Sequence, residues 1–135
     1  MGLDIESSLC PRCEDRIEEV RHLFFECPKT VELWKKAGFW WGVDIPRFED
    51  IRDLFQWAWL KQKNMKEGQR FHLILIAVLV TIWKTRNRII FEKKKVELDQ
   101  EFRISQELAY LWISSRNLKF KLELNKWVLN PKSDM

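Results

Sequence analysis

Three cysteines and one of the two histidines of this 135-residue chain fall within residues 10–27: Cys10, Cys13, His22 and Cys27. Thiolate sulfur and imidazole nitrogen are what a tetrahedral structural zinc ion takes, and four of them close its coordination sphere, leaving no open position for catalysis. The spacing makes mechanical sense. Two residues between Cys10 and Cys13 allow a tight turn that aims both sulfurs at one point, and Pro11 stiffens it. His22 and Cys27 supply the second pair from another piece of backbone. In a continuous α-helix they would point about 140° apart, at roughly 3.6 residues per turn. The backbone must therefore break or restart near them, and Pro28, favoured at a first helical position, marks the restart. The competing reading is three free thiols and a surface histidine. A disulfide framework suits the chain less, because three cysteines cannot pair off and the short, acidic first nine residues do not read as a secretory leader or targeting signal.

Other chemistry is hard to find. Ser7, Ser8, Ser105, Ser114 and Ser115 have no available base once His22 is committed to a metal. A Gly-rich phosphate loop, a G-x-S-x-G elbow and an H-E-x-x-H pair are all missing from the sequence. His72, within an apolar run, reads as a core or helix-end histidine rather than a fifth ligand. The chain is expected to be non-enzymatic, with one structural Zn2+ and no small-molecule substrate.

These ligands must be positioned by a helical body. With 46% apolar and 13% aromatic residues, eight tryptophans, and only four glycines and four prolines, the chain suits one compact helical unit rather than a linker or a sandwich of turns. The expected class is mainly α: a small N-terminal zinc-binding loop module followed by about four helices. Residues 1–38 would form the module with its first helix, 39–130 a helical region packed on it, and 131–135 a frayed tail.

The first helix is expected over 28–37, with Val31, Trp34 and Ala37 inward, Lys35 and Lys36 outward and Gly38 as its cap. Phe39-Trp40-Trp41-Gly42 follows as an aromatic turn. Ile51, Leu54, Phe55, Ala58 and Trp59 then form an amphipathic stripe, with Trp57 off it. Residues 61–68 read as a loop. The apolar run 71–83 reads as a central core helix continuing to about Phe91. As a membrane span it falls short, since thirteen residues reach about 20 Å against a hydrocarbon core of about 30 Å. A last long helix over about 97–120 would bury Leu98, Phe102, Leu108, Leu111, Trp112 and Leu118.

The net charge of +4 is unevenly spread. Up to Cys27, seven acidic side chains outnumber Arg12, Arg16 and Arg21 by four, which leaves +8 for the rest. The metal segment is thus a poor phosphate binder. The basic run Lys84, Arg86, Arg88, Lys93, Lys94 and Lys95 is a complement to a helix dipole on one reading, and a weak RNA or DNA contact on the other. Trp40, Trp41 and Trp57 are the candidates for an exposed surface that meets a protein partner.

Cys10-Pro11-Arg12-Cys13, the run from Glu19 through His22 and Cys27 to Pro28, and Trp34 resemble the zinc-binding domain that follows reverse transcriptase in plant non-LTR (LINE-type) retrotransposons. The run from Ile82-Trp83-Lys84 to Phe91-Glu92 is similar to the segment between that module and a following ribonuclease H in related proteins. The resemblance implies zinc ligation by Cys10, Cys13, His22 and Cys27 and an association with nucleic acid. Polymerase and nuclease activities are not implied, since neither the reverse transcriptase nor the ribonuclease H carboxylates lie in this sequence. An intracellular site, nucleus or cytoplasm, is the expectation.

Overall fold

The computed structural model describes residues 8–135 and is helical apart from one antiparallel bridge between Leu9 and Ile17. A π-turn, His22–Glu26, leads into α1 (Pro28–Trp41), α2 (Ile51–Lys61), α3 (Met65–Glu92), α4 (Leu98–Arg116) and α5 (Leu124–Leu129). The mainly α class stands, and a cysteine and histidine cluster lies near the N-terminus.

α3 is the axis of the molecule; α4 lies along it, and α1, α2 and the π-turn pack around it. Its buried positions run from Arg70 and Phe71 through Ile74, Leu75, Ala77, Val78, Thr81 and Ile82 to Thr85. No helix among the described residues is long and apolar enough to cross a membrane. α3 also begins earlier than the polar sequence before it suggests. The Asn64 side chain accepts from the Glu67 amide at 2.9 Å, an N-cap that recruits residues 65–68 from the expected loop.

Three further expectations are corrected by packing. α1 runs on to Trp41 and is capped by Gly42, at φ 96°, rather than by Gly38. The expected aromatic turn is thereby the last turn of the helix. Trp41 is buried and stacks on Phe71 at 5.1 Å, while Trp40 and Trp57 are half-buried, so these three do not form an exposed tryptophan surface. In α2 Trp59 is 57% exposed, whereas Leu54 and Ala58 are buried, with Ile51, Phe55 and Trp57 half-buried beside them. Phe48, from the preceding loop, covers that side and meets Trp57 at 5.8 Å.

The last long helix divides. α4 stops at Arg116, leaving Leu118 outside it and Leu111 exposed, and its buried face is Glu101, Ser105, Gln106, Ala109 and Ile113. Both helices bury small side chains, Ala77, Thr81 and Thr85 on α3 and Ser105 and Ala109 on α4, and such residues suit a close helix approach. α5 then docks through Trp127, fully buried, whose Nε1 donates to the Gln106 carbonyl at 2.8 Å. The expected frayed tail is tied down as well. Pro131 is buried, and Arg70 donates to its carbonyl at 2.9 Å and to Asp134 Oδ1 at 2.6 Å.

Candidate metal centre

The first two cysteines lie in a hairpin-like loop. The Cys10 amide donates to the Arg16 carbonyl at 2.7 Å, and the Glu14 amide to the Cys10 carbonyl at 2.7 Å. Glu14 takes the left-handed conformation at φ 58° to close the turn. The amides of Arg12 and Cys13 point at the Cys10 sulfur. Such N–H groups stabilise a thiolate, the form that binds metal.

His22 and Cys27 come together by a device that helical spacing alone does not reveal. The Cys27 amide donates to the His22 carbonyl at 2.7 Å, an i→i+5 bond that widens the turn. Cys27 itself is extended, at φ −56° and ψ 130°, so the expected break falls on the ligand, and α1 restarts at Pro28. Two amides at the start of α1, those of Lys29 and Thr30, bond the Cys27 sulfur.

The four ligand atoms all lie within 4.8 Å of one another. Cys10 Sγ and Cys27 Sγ are 4.0 Å apart, and Cys13 Sγ and His22 Nε2 are 3.3 Å apart. Metal–sulfur bonds of about 2.3 Å and metal–nitrogen bonds of about 2.0–2.1 Å give tetrahedral edges of about 3.8 Å and about 3.5 Å. The donor set therefore fits one metal ion. Cys10, His22 and Cys27 are buried and Cys13 is half-buried, and no two of the thiols form a disulfide. The Cys10 thiol donates to Cys27, which holds Cys27 well below the ordinary thiol range and raises Cys10. The Arg12 charge and the Lys29 and Thr30 amides favour the Cys27 thiolate further. No family model matches the chain, and no curated protein or solved structure is detectably similar to it.

The surroundings of the ligands include groups that their spacing does not announce. His22 Nδ1 is buried without a hydrogen bond among the described residues, and the Glu26 carboxylate stands 4.0 Å away. Arg12, between the first two ligands, reaches α4 and forms two bonds to Glu101, at 2.5 and 2.9 Å. Arg86 on α3 bonds Glu18 through Nε at 2.9 Å and Nη2 at 2.8 Å, while Lys95 meets Glu14 at 2.9 Å. The acidic loop that carries the candidate ligands is thus strapped to α3 through Arg86 and to the basic segment after it through Lys95. Two of the six basic residues singled out from the sequence, Arg86 and Lys95, are occupied in this way. Lys84, Lys93 and Lys94 are exposed and Arg88 is half-buried. His72 is exposed, with its ring 4.5 Å from Phe55, outside the ligand group.

Proposed function

We propose that the chain is a zinc-fastened, non-catalytic helical domain, in which Cys10, Cys13, His22 and Cys27 hold one structural ion that binds the N-terminal loop to α1. The convergence of four soft ligands carries this reading. Zinc is the metal of choice because three thiolates and one imidazole suit it and close its sphere. The resemblance to the zinc-binding domain of plant retroelement reverse transcriptases supports the same reading and an origin in such an element. Metal analysis of the purified chain by native mass spectrometry tests it directly. One zinc per chain is expected, with stoichiometric binding lost in Cys13→Ser; full occupancy in that variant would sink the ligand assignment.

A second activity, a weak hold on single-stranded RNA or DNA, is favoured by the outer face of α3. Lys84, Arg88 and exposed Phe91 follow one another there at one-turn spacings, and exposed Trp83 adjoins Lys84, with the Arg86 guanidinium 5.0 Å from its ring. Lys84, Arg88, Lys93 and Lys94 form no ion pair among the described residues. Aromatic rings that stack on bases, beside cations that follow phosphates, are the ingredients of single-strand platforms. Binding of a labelled oligonucleotide should weaken steeply between about 50 and 200 mM salt and fall further in Lys84→Glu/Arg88→Glu. Indifference to salt would count against it.

A further inference from the structure

Of the ion pairs among the described residues, Arg12 with Glu101 alone has both side chains buried, each 2% exposed. It joins positions 89 apart in sequence. Arg12 belongs to the metal turn on every side. It stands between Cys10 and Cys13, its amide points at the Cys10 sulfur, and its guanidinium lies beside the Cys27 sulfur. Its Nε is buried with no hydrogen-bond partner among the described residues. Glu101 belongs to the first turn of α4 and to none of the elements that supply ligands.

A buried charge is tolerated only while its partner stays in place, since loss of one member leaves the other uncompensated. The position of Arg12 is set by a turn whose two flanking cysteines point at one centre. A dication with three thiolates and a neutral imidazole carries a net charge of about −1. A guanidinium oriented by a carboxylate and set beside the Cys27 sulfur stabilises that charge. Partners of ligands commonly tune metal affinity in this way. We propose that Arg12 and Glu101 are the outer sphere of the metal centre and couple its occupancy to the docking of α4. With the ion bound, the turn holds Arg12 against Glu101. When the ion leaves, the turn relaxes, the pair separates, and the N-terminal half of α4 loosens from α3. Arg12 and Glu101 act here as positioning residues, and the coupling rests on the metal reading of the four ligands.

The test uses the full chain. Zinc affinity is measured by competition with a chromophoric chelator for the native chain, Glu101→Gln and Arg12→Lys, the last keeping the charge but losing the two-pronged geometry. Amide hydrogen exchange of the native chain and Glu101→Gln is followed with and without chelator. Both variants should still bind one zinc, roughly 10- to 100-fold more weakly. In the native chain, chelation should speed exchange in residues 98–109 more than in α2, and Glu101→Gln should lose that contrast. A purely structural pair would leave the zinc affinity within about twofold of native, which overturns the coupling. So does an α4 in the native chain whose exchange ignores chelation, a readout that stands even where a variant misfolds. Absence of zinc from the native chain overturns both the coupling and the ligand assignment, so native stoichiometry separates the two failures.

Discussion

A Cβ on Gly38 would stand 2.6 Å from the Val43 carbonyl oxygen, closer than any side-chain carbon sits, although the residue lies inside α1 and has an ordinary helical backbone. The turn after α1 folds back over it, with the Gly42 and Val43 amides donating to the Gly38 carbonyl at 2.7 and 2.9 Å. Gly38→Ala sets two effects against each other. Alanine gains about 1 kcal/mol of helix propensity. The obstructing atom is backbone, however, and cannot rotate aside, so a strain of about 1–3 kcal/mol follows. A net destabilisation of about 1 kcal/mol is expected from urea unfolding, and a midpoint at or above native would show that the turn yields. The same two glycines show where single-residue reading stops. Gly38 and Gly42 carry the same stop signal in sequence, and only the left-handed φ of Gly42 decides between them. The convergence of Cys10, Cys13, His22 and Cys27 was legible because cysteine and histidine are scarce and their spacing is constrained. Arg12 was not, since an arginine in a polar run looks solvated until its distant carboxylate is located.

Among the elements, the C-terminal clasp shows how one buried cation organises several pieces of chain. Arg70, in the second turn of α3, lies over Phe120 at 5.0 Å and Trp127 at 5.9 Å and bonds Pro131 and Asp134. The hydrogen bond from Arg70 lowers the Asp134 carboxyl below its ordinary value. The folded state therefore binds fewer protons there than the unfolded one, and the stabilisation is complete above the unfolded value of about 3.9 and lost as pH falls through the folded value. Asp134→Asn should cost about 1 kcal/mol at pH 7, at the low end for a charged hydrogen bond because Asp134 is partly exposed. The difference in urea midpoint between native and variant should hold from pH 8 to about 5 and narrow below about 4. A gap that widens in acid would contradict the assignment. None of this was readable in the Lys132-Ser133-Asp134 sequence, which is polar and short. α3 was readable, because its apolar run leaves no other home. The inward face of α4 was hidden by its polarity: Glu101, Ser105 and Gln106 are buried for their partners and their size, while the leucines that marked a face lie partly outside.

Taken whole, the molecule separates a loop that carries the candidate metal ligands from a helical body with an apolar core of its own. All four ligands lie at or before Cys27, whereas Leu33, Trp41, Leu54, Ile74, Leu75, Val78, Ile82 and Trp127 are buried beyond it. A small zinc finger, lacking such a core, unfolds when its metal is removed. This chain should not. Ligation at a zinc concentration 1,000 times Kd adds about 4.1 kcal/mol to the folded state, which in a domain of this size corresponds to a fall of at least about 10 °C in Tm on chelation. Most of the helical circular dichroism at 25 °C should nevertheless persist, because α1, α2 and α3 keep their mutual contacts. The charge distribution sharpens the expectation. Glu18 ties the loop to Arg86 on α3 and Glu14 ties it to Lys95 in the segment that follows, so a loop released from its ion remains tethered by two ion pairs, while the buried Arg12–Glu101 pair bears the strain. High salt screens the exposed Lys95–Glu14 pair, and to a lesser degree the half-buried Arg86–Glu18 pair, more than the fully buried one, so chelation at high salt should lower Tm further than chelation at low salt. Complete loss of helical signal on chelation would instead mean that the core beyond Cys27 cannot stand without the ion.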